Sequence, residues 1–392
     1  MESTQPNTSA REILKSFEGK DPATDFYQDS EFPTDITSIC PDTKHRNYNK
    51  IFSKAQWLRY HEIYKPGTSN ELFDKIDPSN IVQGIAGAAP FVSVLAALSE
   101  FPDRIKSIFN IQEKNPYGVY SVTFYINGAP REVIIDDHFP CYEWGKPLFS
   151  HSKANELWVL LIEKAWAKLF GSYTATEEGE IQEIFECLTG TPCTSIKAAD
   201  LDQIVKKIPA WLKRGYILTA TTSSSIKNAA GLAPAHTYPL IGVFQAGSHR
   251  VFKFRNPWGK IHWKGDFSEE WSGWTPELEK AVGYSKTEPG VFFMSAKDFE
   301  KHFVSIDCCF YNDKAHRKAL NLKQEGKKAS YFEFELKEPS EFCAAISQLN
   351  KKLQKDTYAY SPVDLFLMKQ GDNSTLKKIG KTHSLLLVLL KK

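Results

Sequence analysis

Residues 83–98 read QGIAGAAPFVSVLAAL. A glycine-punctuated loop runs into a segment with no polar face. A helix that is apolar all round has to be covered on every side. The stretch therefore predicts a central, buried helix beginning near Pro90, with the rest of the chain packed around it. A loop-to-helix junction of this kind often presents a nucleophile. Here the junction is AGAAP, with no hydroxyl, thiol or carboxylate.

The 392 residues are 42% hydrophobic and 13% aromatic, enough for two or three packed domains. Charged residues make up 24% and the formal net charge is +2. That balance gives no electrostatic case for nucleic acid or acidic membranes. The polar N-terminus lacks the apolar core of a signal peptide. SLLLVLL, 384–390, is too short for a transmembrane span. Seven dispersed cysteines without a CxxC pair fit reduced thiols, and hence an intracellular, cytoplasmic protein.

Along the chain, 1–25 reads as a flexible tail. NELWVLLIEKAWAKLFG, 155–171, has helical spacing and a terminal glycine. VYSVTFYINGAPREVIIDDHFP holds two β-rich runs around Asn127-Gly128, a hairpin signal. From about 190 the pattern turns to β-strand, with a second hairpin around Gly247. Residues 313–328 read as a linker, and 329–392 hold short β runs: SYFEFEL, VDLFLMK and SLLLVLL. The expected class is α+β.

His236 follows a glycine-containing loop at the head of one β run, and Asn256 ends another. A cysteine hydrolase needs such a pair: the imidazole takes the thiol proton and the amide orients the ring. Gln83 can offer an amide to a developing oxyanion. A His at a strand start is more commonly a hydrogen-bonded structural residue, and NPWG is more commonly a turn anchored by its Trp.

Taken in order, FYQDSEFPTDITSI, the loop from Gln83, HSKANELWVLLIEKAWAKLFGSY, GLAPAHTY, RNPWGKIHWKGDF and GVFFMSAKDFEKHF resemble the protease core of the calpain family, from Phe26 to Tyr311. The resemblance implies a papain-like core with a helical subdomain, 26–189, and an antiparallel β subdomain, 190–312. The start of a β-sandwich domain would follow at 329–392. It implies an intracellular cysteine endopeptidase acting on polypeptides and controlled by calcium. Carried over residue by residue, it retains Gln83 in the oxyanion hole, His236 as base, Asn256 as orienting residue and Trp258 in the cleft.

The nucleophilic Cys falls on Ala89, its neighbours on Ala88 and Pro90, and a Leu of the same loop on Ala86. Several departures together argue for natural drift over a single engineered change. The first calcium site keeps Glu156 but has Asn80 for an Asp. The second falls on His262, Glu269 and Pro289-Gly290-Val291, a set poor in carboxylates. No cofactor is certain, and calcium sites are degenerate.

The expectation is an inactive cysteine-peptidase homologue that binds or regulates polypeptides. The alternative is a working calcium-dependent endopeptidase, with Cys193 or Ser93 as a displaced nucleophile or with a sequence error across 86–90. A third reading is a structural module whose last segment docks on membranes or partners.

Overall fold

The computed structural model describes residues 8–64, 71–85, 88–226, 231–256, 263–285, 288, 290–320, 343–346, 348, 363–367 and 377–382. Helices and antiparallel strands form two main cores, with smaller clusters at their flanks.

The first core is built around the central helix, Ala89–Ser99, whose residues from Phe91 to Ser99 are all buried. Beside it lies the long helix Trp158–Phe170, closed by Gly171 at φ 98°, a left-handed position that glycine takes without strain. Strands Gln56–Arg59 (β1), Ile81–Val82 (β2), Tyr120–Ile126 (β3), Ala129–Ile135 (β4), His138–Cys141 (β5) and His151–Ser152 (β6) pair in twos: β1 with β5, β2 with β6, and β3 with β4. The β3–β4 turn is Asn127-Gly128, both at positive φ, as a two-residue hairpin requires.

The second core lies under an antiparallel sheet in the order β11-β10-β9-β8-β12-β7. Its strands are Cys193–Lys197 (β7), Ile217–Thr222 (β8), Thr237–Ala246 (β9), His249–Arg255 (β10), Val291–Ser295 (β11) and Phe303–Cys309 (β12). The central helix of the first core packs directly on β8 and β9, so one helix serves as the joint between the two bodies. The alternation of β12 is sharp. Cys308 belongs to the second core and its neighbour Cys309 to the first.

The reading of 1–25 as a flexible tail is corrected at residues 9–17, while 1–7 lie outside the described residues. Ala10–Ser16 is a helix, opened by a reciprocal capping box between Ser9 and Glu12. Ala10 is buried, and Ile13, Leu14 and Phe17 pack on the first core. The short apolar stripe, not intrinsic propensity, holds it there.

In the third segment, Val363–Leu367 (β13) and Lys377–Thr382 (β14) pair antiparallel. SYFEFEL and SLLLVLL lie outside the described residues, as do 321–328 of the expected linker.

A buried ionic network ties the N-terminal segment to this frame. Lys164 of the long helix is wholly buried and donates to Asp136 and to the His138 carbonyl oxygen at 2.7 Å. Asp136 also accepts from the Asp29 amide at 2.8 Å. Lys168 meets Asp29 at 2.8 Å. Burial alone would raise the Asp136 carboxyl, but the Lys164 ammonium, with His138 and the Asp29 amide, holds it well below the ordinary carboxylate range. Lys164→Met should cost about 3–5 kcal/mol in urea unfolding, because it strands a buried carboxylate. Lys164→Met with Asp136→Leu should cost less than the single change. The sign with pH follows from the depressed carboxyl: the pair stabilises the fold above about pH 4 and its contribution fades as pH falls further.

Candidate functional site

The segment leading to the central helix is clamped from below. Ile85 donates its amide to the Leu148 carbonyl oxygen at 2.9 Å. A Cβ on Gly84 would stand 2.2 Å from the Phe149 Cα, so the chain passes only because position 84 is glycine. The 148–150 stretch is itself held by Glu163, which accepts from the Ser150 amide at 2.5 Å and the Ser150 hydroxyl at 3.1 Å. Burial raises the Glu163 carboxyl to about 7, against the pull of both Ser150 bonds. Gln83 is half-buried just past β2, at the edge of this clamp.

Ala89 is the first residue of the central helix and Ala88 its cap, with no side-chain capping bond. Pro90 occupies the second helical position, where a missing N–H costs nothing. A nucleophile here would sit at the positive end of a helix. The Ala89 methyl supplies no group to be activated. Ala86 lies outside the described residues.

His236 immediately precedes β9 and Asn256 immediately follows β10. The two strands form a hairpin turning at Gly247, so both residues lie at its open end. His236 donates its amide to the Thr222 hydroxyl at 3.0 Å, and its carbonyl oxygen accepts the Thr222 amide at 2.9 Å. The ring meets Tyr238 edge-on at 4.7 Å. It is 3% exposed, and burial lowers its pKa to about 4. The imidazole is therefore neutral at pH 7 and a weak proton acceptor. Asn256 is 4% exposed, its amide donating to the Gly290 carbonyl oxygen at 2.9 Å. Trp258 lies outside the described residues.

Of the residues matched to calcium, Asn80, Glu156, Glu269, Gly290 and Val291 are among the described residues. Glu156 is fully buried, and its oxygens accept from the Asp74 amide and the Ser152 hydroxyl, each at 3.0 Å. Burial raises its carboxyl. Asn80 ends a short 3₁₀ turn and its carbonyl oxygen accepts the Lys153 amide at 2.8 Å. The exposed Lys153 ammonium donates to the neighbouring Ser79 carbonyl oxygen at 2.8 Å. Glu269 is exposed. Val291 opens β11, while His262 and Pro289 lie outside the described residues. Among the described residues, no three His, Cys, Asp or Glu side chains converge as a metal site. Calcium takes six to eight oxygen ligands.

Both residues considered as displaced nucleophiles are buried. Ser93 is 1% exposed in mid-helix. Cys193 begins β7, at the sheet edge farthest from β10 and β11, and burial drives its thiol well above the ordinary range.

Sequence patterns missed an ion pair between the two bodies. Arg255, next to Asn256, reaches Glu100 just past the central helix, with one contact at 3.3 Å and a second, closer one. The pair borders a cleft of about 300 Å³ lined by Ile76, Asp77, Pro102 and Glu288. The partners are 155 residues apart, so no periodicity announces them.

A body of helices and antiparallel sheet, with its central helix packed on β8 and β9 and with His236 and Asn256 flanking the β9–β10 hairpin, is consistent with a cysteine-protease core. The model of the calpain family cysteine proteases matches residues 27–310, and the chain belongs to that family. It is 33% identical over 318 residues to the calpain-type cysteine protease DEK1 of Arabidopsis thaliana, covering 76% of this chain and 15% of that protein. It is 31% identical over 296 residues to calpain-14 of Homo sapiens, covering 72% of this chain and 42% of the relative. A calpain of Schistosoma mansoni is 30% identical over 327 residues, covering 74% and 41%. The chain thus spans less than half the length of each of these relatives.

Two stability measurements test the site. The Ser93 hydroxyl has no hydrogen-bond partner among the described residues, so Ser93→Ala should stabilise the protein by about 1 kcal/mol in urea. His236 is neutral when folded down to about pH 4, whereas an unfolded His binds a proton below about 6.5. The unfolded chain therefore holds the extra proton between these values, and this group's contribution grows as pH rises through that window. Relative to His236→Gln, the wild type should gain stability from pH 4 to 6.5, by at most about 3 kcal/mol.

Proposed function

We propose that this chain is a calpain-family protein without peptidase activity, which acts by holding a polypeptide in its cleft or by competing with active relatives. The observation that carries the reading is Ala89 at the head of the central helix, where the family nucleophile falls. Removing the nucleophile of a serine protease lowers kcat by roughly 10⁶, leaving roughly 10³ over water from the surrounding groups. The low basicity of buried His236 argues in the same direction. In this reading Gln83, His236, Asn256 and Trp258 are remnants of the catalytic cleft, and Glu156, Asn80 and Glu269 are remnants of calcium sites.

The finer architecture belongs to the same proposal: papain-like subdomains at 26–189 and 190–312, a linker at 313–328 and the start of a β-sandwich at 329–392. So do a cytoplasmic location and a polypeptide partner. Among the described residues no helix is long and apolar enough to cross a membrane.

Purified protein incubated with casein and with a fluorogenic peptide should give no cleavage above background, with or without calcium. A thiol-reactive peptidase inhibitor should change nothing, and calcium titration should give little or no heat. Calcium-stimulated cleavage that the inhibitor blocks would overturn the proposal and restore the endopeptidase reading.

A further inference from the structure

The chain enters the six-stranded sheet through Gly190–Cys193, straight from the helix Ile181–Thr189 of the first core. It leaves through Cys309 and the residues up to Asp313, where Asp313 meets Arg104 of the first core's helix Pro102–Ile108 at 2.8 Å. Entry and exit run side by side as β7 and β12, and in their register Cys193 stands directly opposite Cys309.

Three observations bear on that pair. Phe310 donates its amide to the Pro192 carbonyl oxygen at 3.0 Å, which makes 310 and 192 a hydrogen-bonded pair. Cys309 and Cys193, one step along, are then a non-hydrogen-bonded pair, the kind that brings Cα atoms to about 4.5 Å. A disulfide spans roughly 4.4–6.8 Å between Cα atoms. Both side chains point into the first core, and both residues are 0% exposed. Cys308, adjacent in sequence, points into the second core and cannot reach Cys193 from that face.

We infer that Cys193 and Cys309 form a paired thiol site that oxidises to a cross-strand disulfide, fastening the strand by which the chain enters the sheet to the strand by which it leaves. The oxidant is a small disulfide such as oxidised glutathione. One cysteine thiolate attacks it, forming a mixed disulfide and expelling one glutathione thiolate. The second cysteine thiolate attacks the protein sulfur of that intermediate and expels the other. Two protein thiols are oxidised to one disulfide, one glutathione disulfide is reduced to two glutathiones, and the two thiol protons go to the departing thiolates.

Burial pushes the Cys309 thiol up to about 12 and Cys193 well above its ordinary range, so the closed strand pair reacts slowly. The way in is β7 itself. It is an edge strand whose residues after Cys193 alternate between half-buried and exposed, and such a strand opens locally at low cost. When it closes, the register returns the two sulfurs to each other. The inference stands whether or not the cleft binds a polypeptide.

The test uses the full chain, which carries its seven cysteines as thiols. After exposure of the folded protein to excess oxidised glutathione, the thiol titre in denaturant should fall from seven by the two that are joined. Peptide mapping without reductant should recover Cys193 linked to Cys309. Amide exchange across β7 should slow, and dithiothreitol should reverse every change. Cys308→Ser and Cys187→Ser should leave the product intact, and Cys193→Ser or Cys193→Ala should abolish it. Wild-type mapping decides the matter even where a variant fails to fold. No linkage, linkage to Cys187 or Cys308, or linkage that forms only after the protein has been unfolded would overturn the inference.

Discussion

The arrangement of this protein depends on one packing relation: the central helix is apolar on all sides and is covered on all sides. Its buried run from Phe91 to Ser99 meets the first core on one flank and β8 and β9 on the other. A core helix of this kind gains about 25 cal/mol for each Å² of apolar surface removed from water, and any rotation would expose part of it. That fixes where the helix begins, and so where Ala89 stands relative to the open end of the β9–β10 hairpin. The clamp formed by Gly84, Ile85 and 148–150 sets the approach to the helix. The Arg255–Glu100 pair then adds a polar tie between the bodies close to Asn256. Lone ion pairs add little at a surface, but this one is largely shielded, and losing one partner would leave a charge in a tight place.

Local patterns carried much of this. The long helix was legible because its apolar spacing, and Gly171 at its end, are properties of a short window. The β3–β4 turn was legible because only a few residue types tolerate the positive φ that Asn127 and Gly128 adopt. The β9–β10 hairpin was legible for the same kind of reason. What the sequence hid are relations between distant residues. The helix Ala10–Ser16 is too short to stand on propensity and exists because a body waits for Ile13, Leu14 and Phe17. The Glu163–Ser150 support and the Arg255–Glu100 tie join segments that only the fold brings together. Cys193 falls just past the boundary expected between 189 and 190. That it faces Cys309, and not Cys308, follows from strand register, and slipping the register by one residue would reverse the choice.

The candidate site separates into parts that the fold needs and parts that only chemistry needs. His236 is locked by Thr222 through both backbone groups, and its ring lies against Tyr238. The Thr222 bonds need no imidazole, so the ring's structural part at the junction of β8 and β9 is its packing on Tyr238. Glu156 receives an amide and a hydroxyl from two different segments and braces the entry to the long helix. These residues have structural reasons to persist. Their presence is therefore weak testimony for catalysis. Position 89 is different. The first helical residue makes few demands on its side chain, and alanine has the highest helix propensity of all.

This asymmetry explains how chemistry and scaffold come apart. Groups poised for catalysis commonly reduce stability, because they hold charge or strain where packing would prefer neither. On the proposed reading, Ala88, Ala89 and Pro90 carry no such burden, and the apolar run behind them stays buried. On that reading the departures at 86–90 lie in the loop and the first turn of the helix, ahead of the fully buried run. They stop where Phe91 enters the core, and there the same tolerance would cost several kcal/mol per truncated side chain. On the proposed reading, a fold held by its central helix tolerates alanine at position 89 without loosening, because the buried run that begins at Phe91 is untouched.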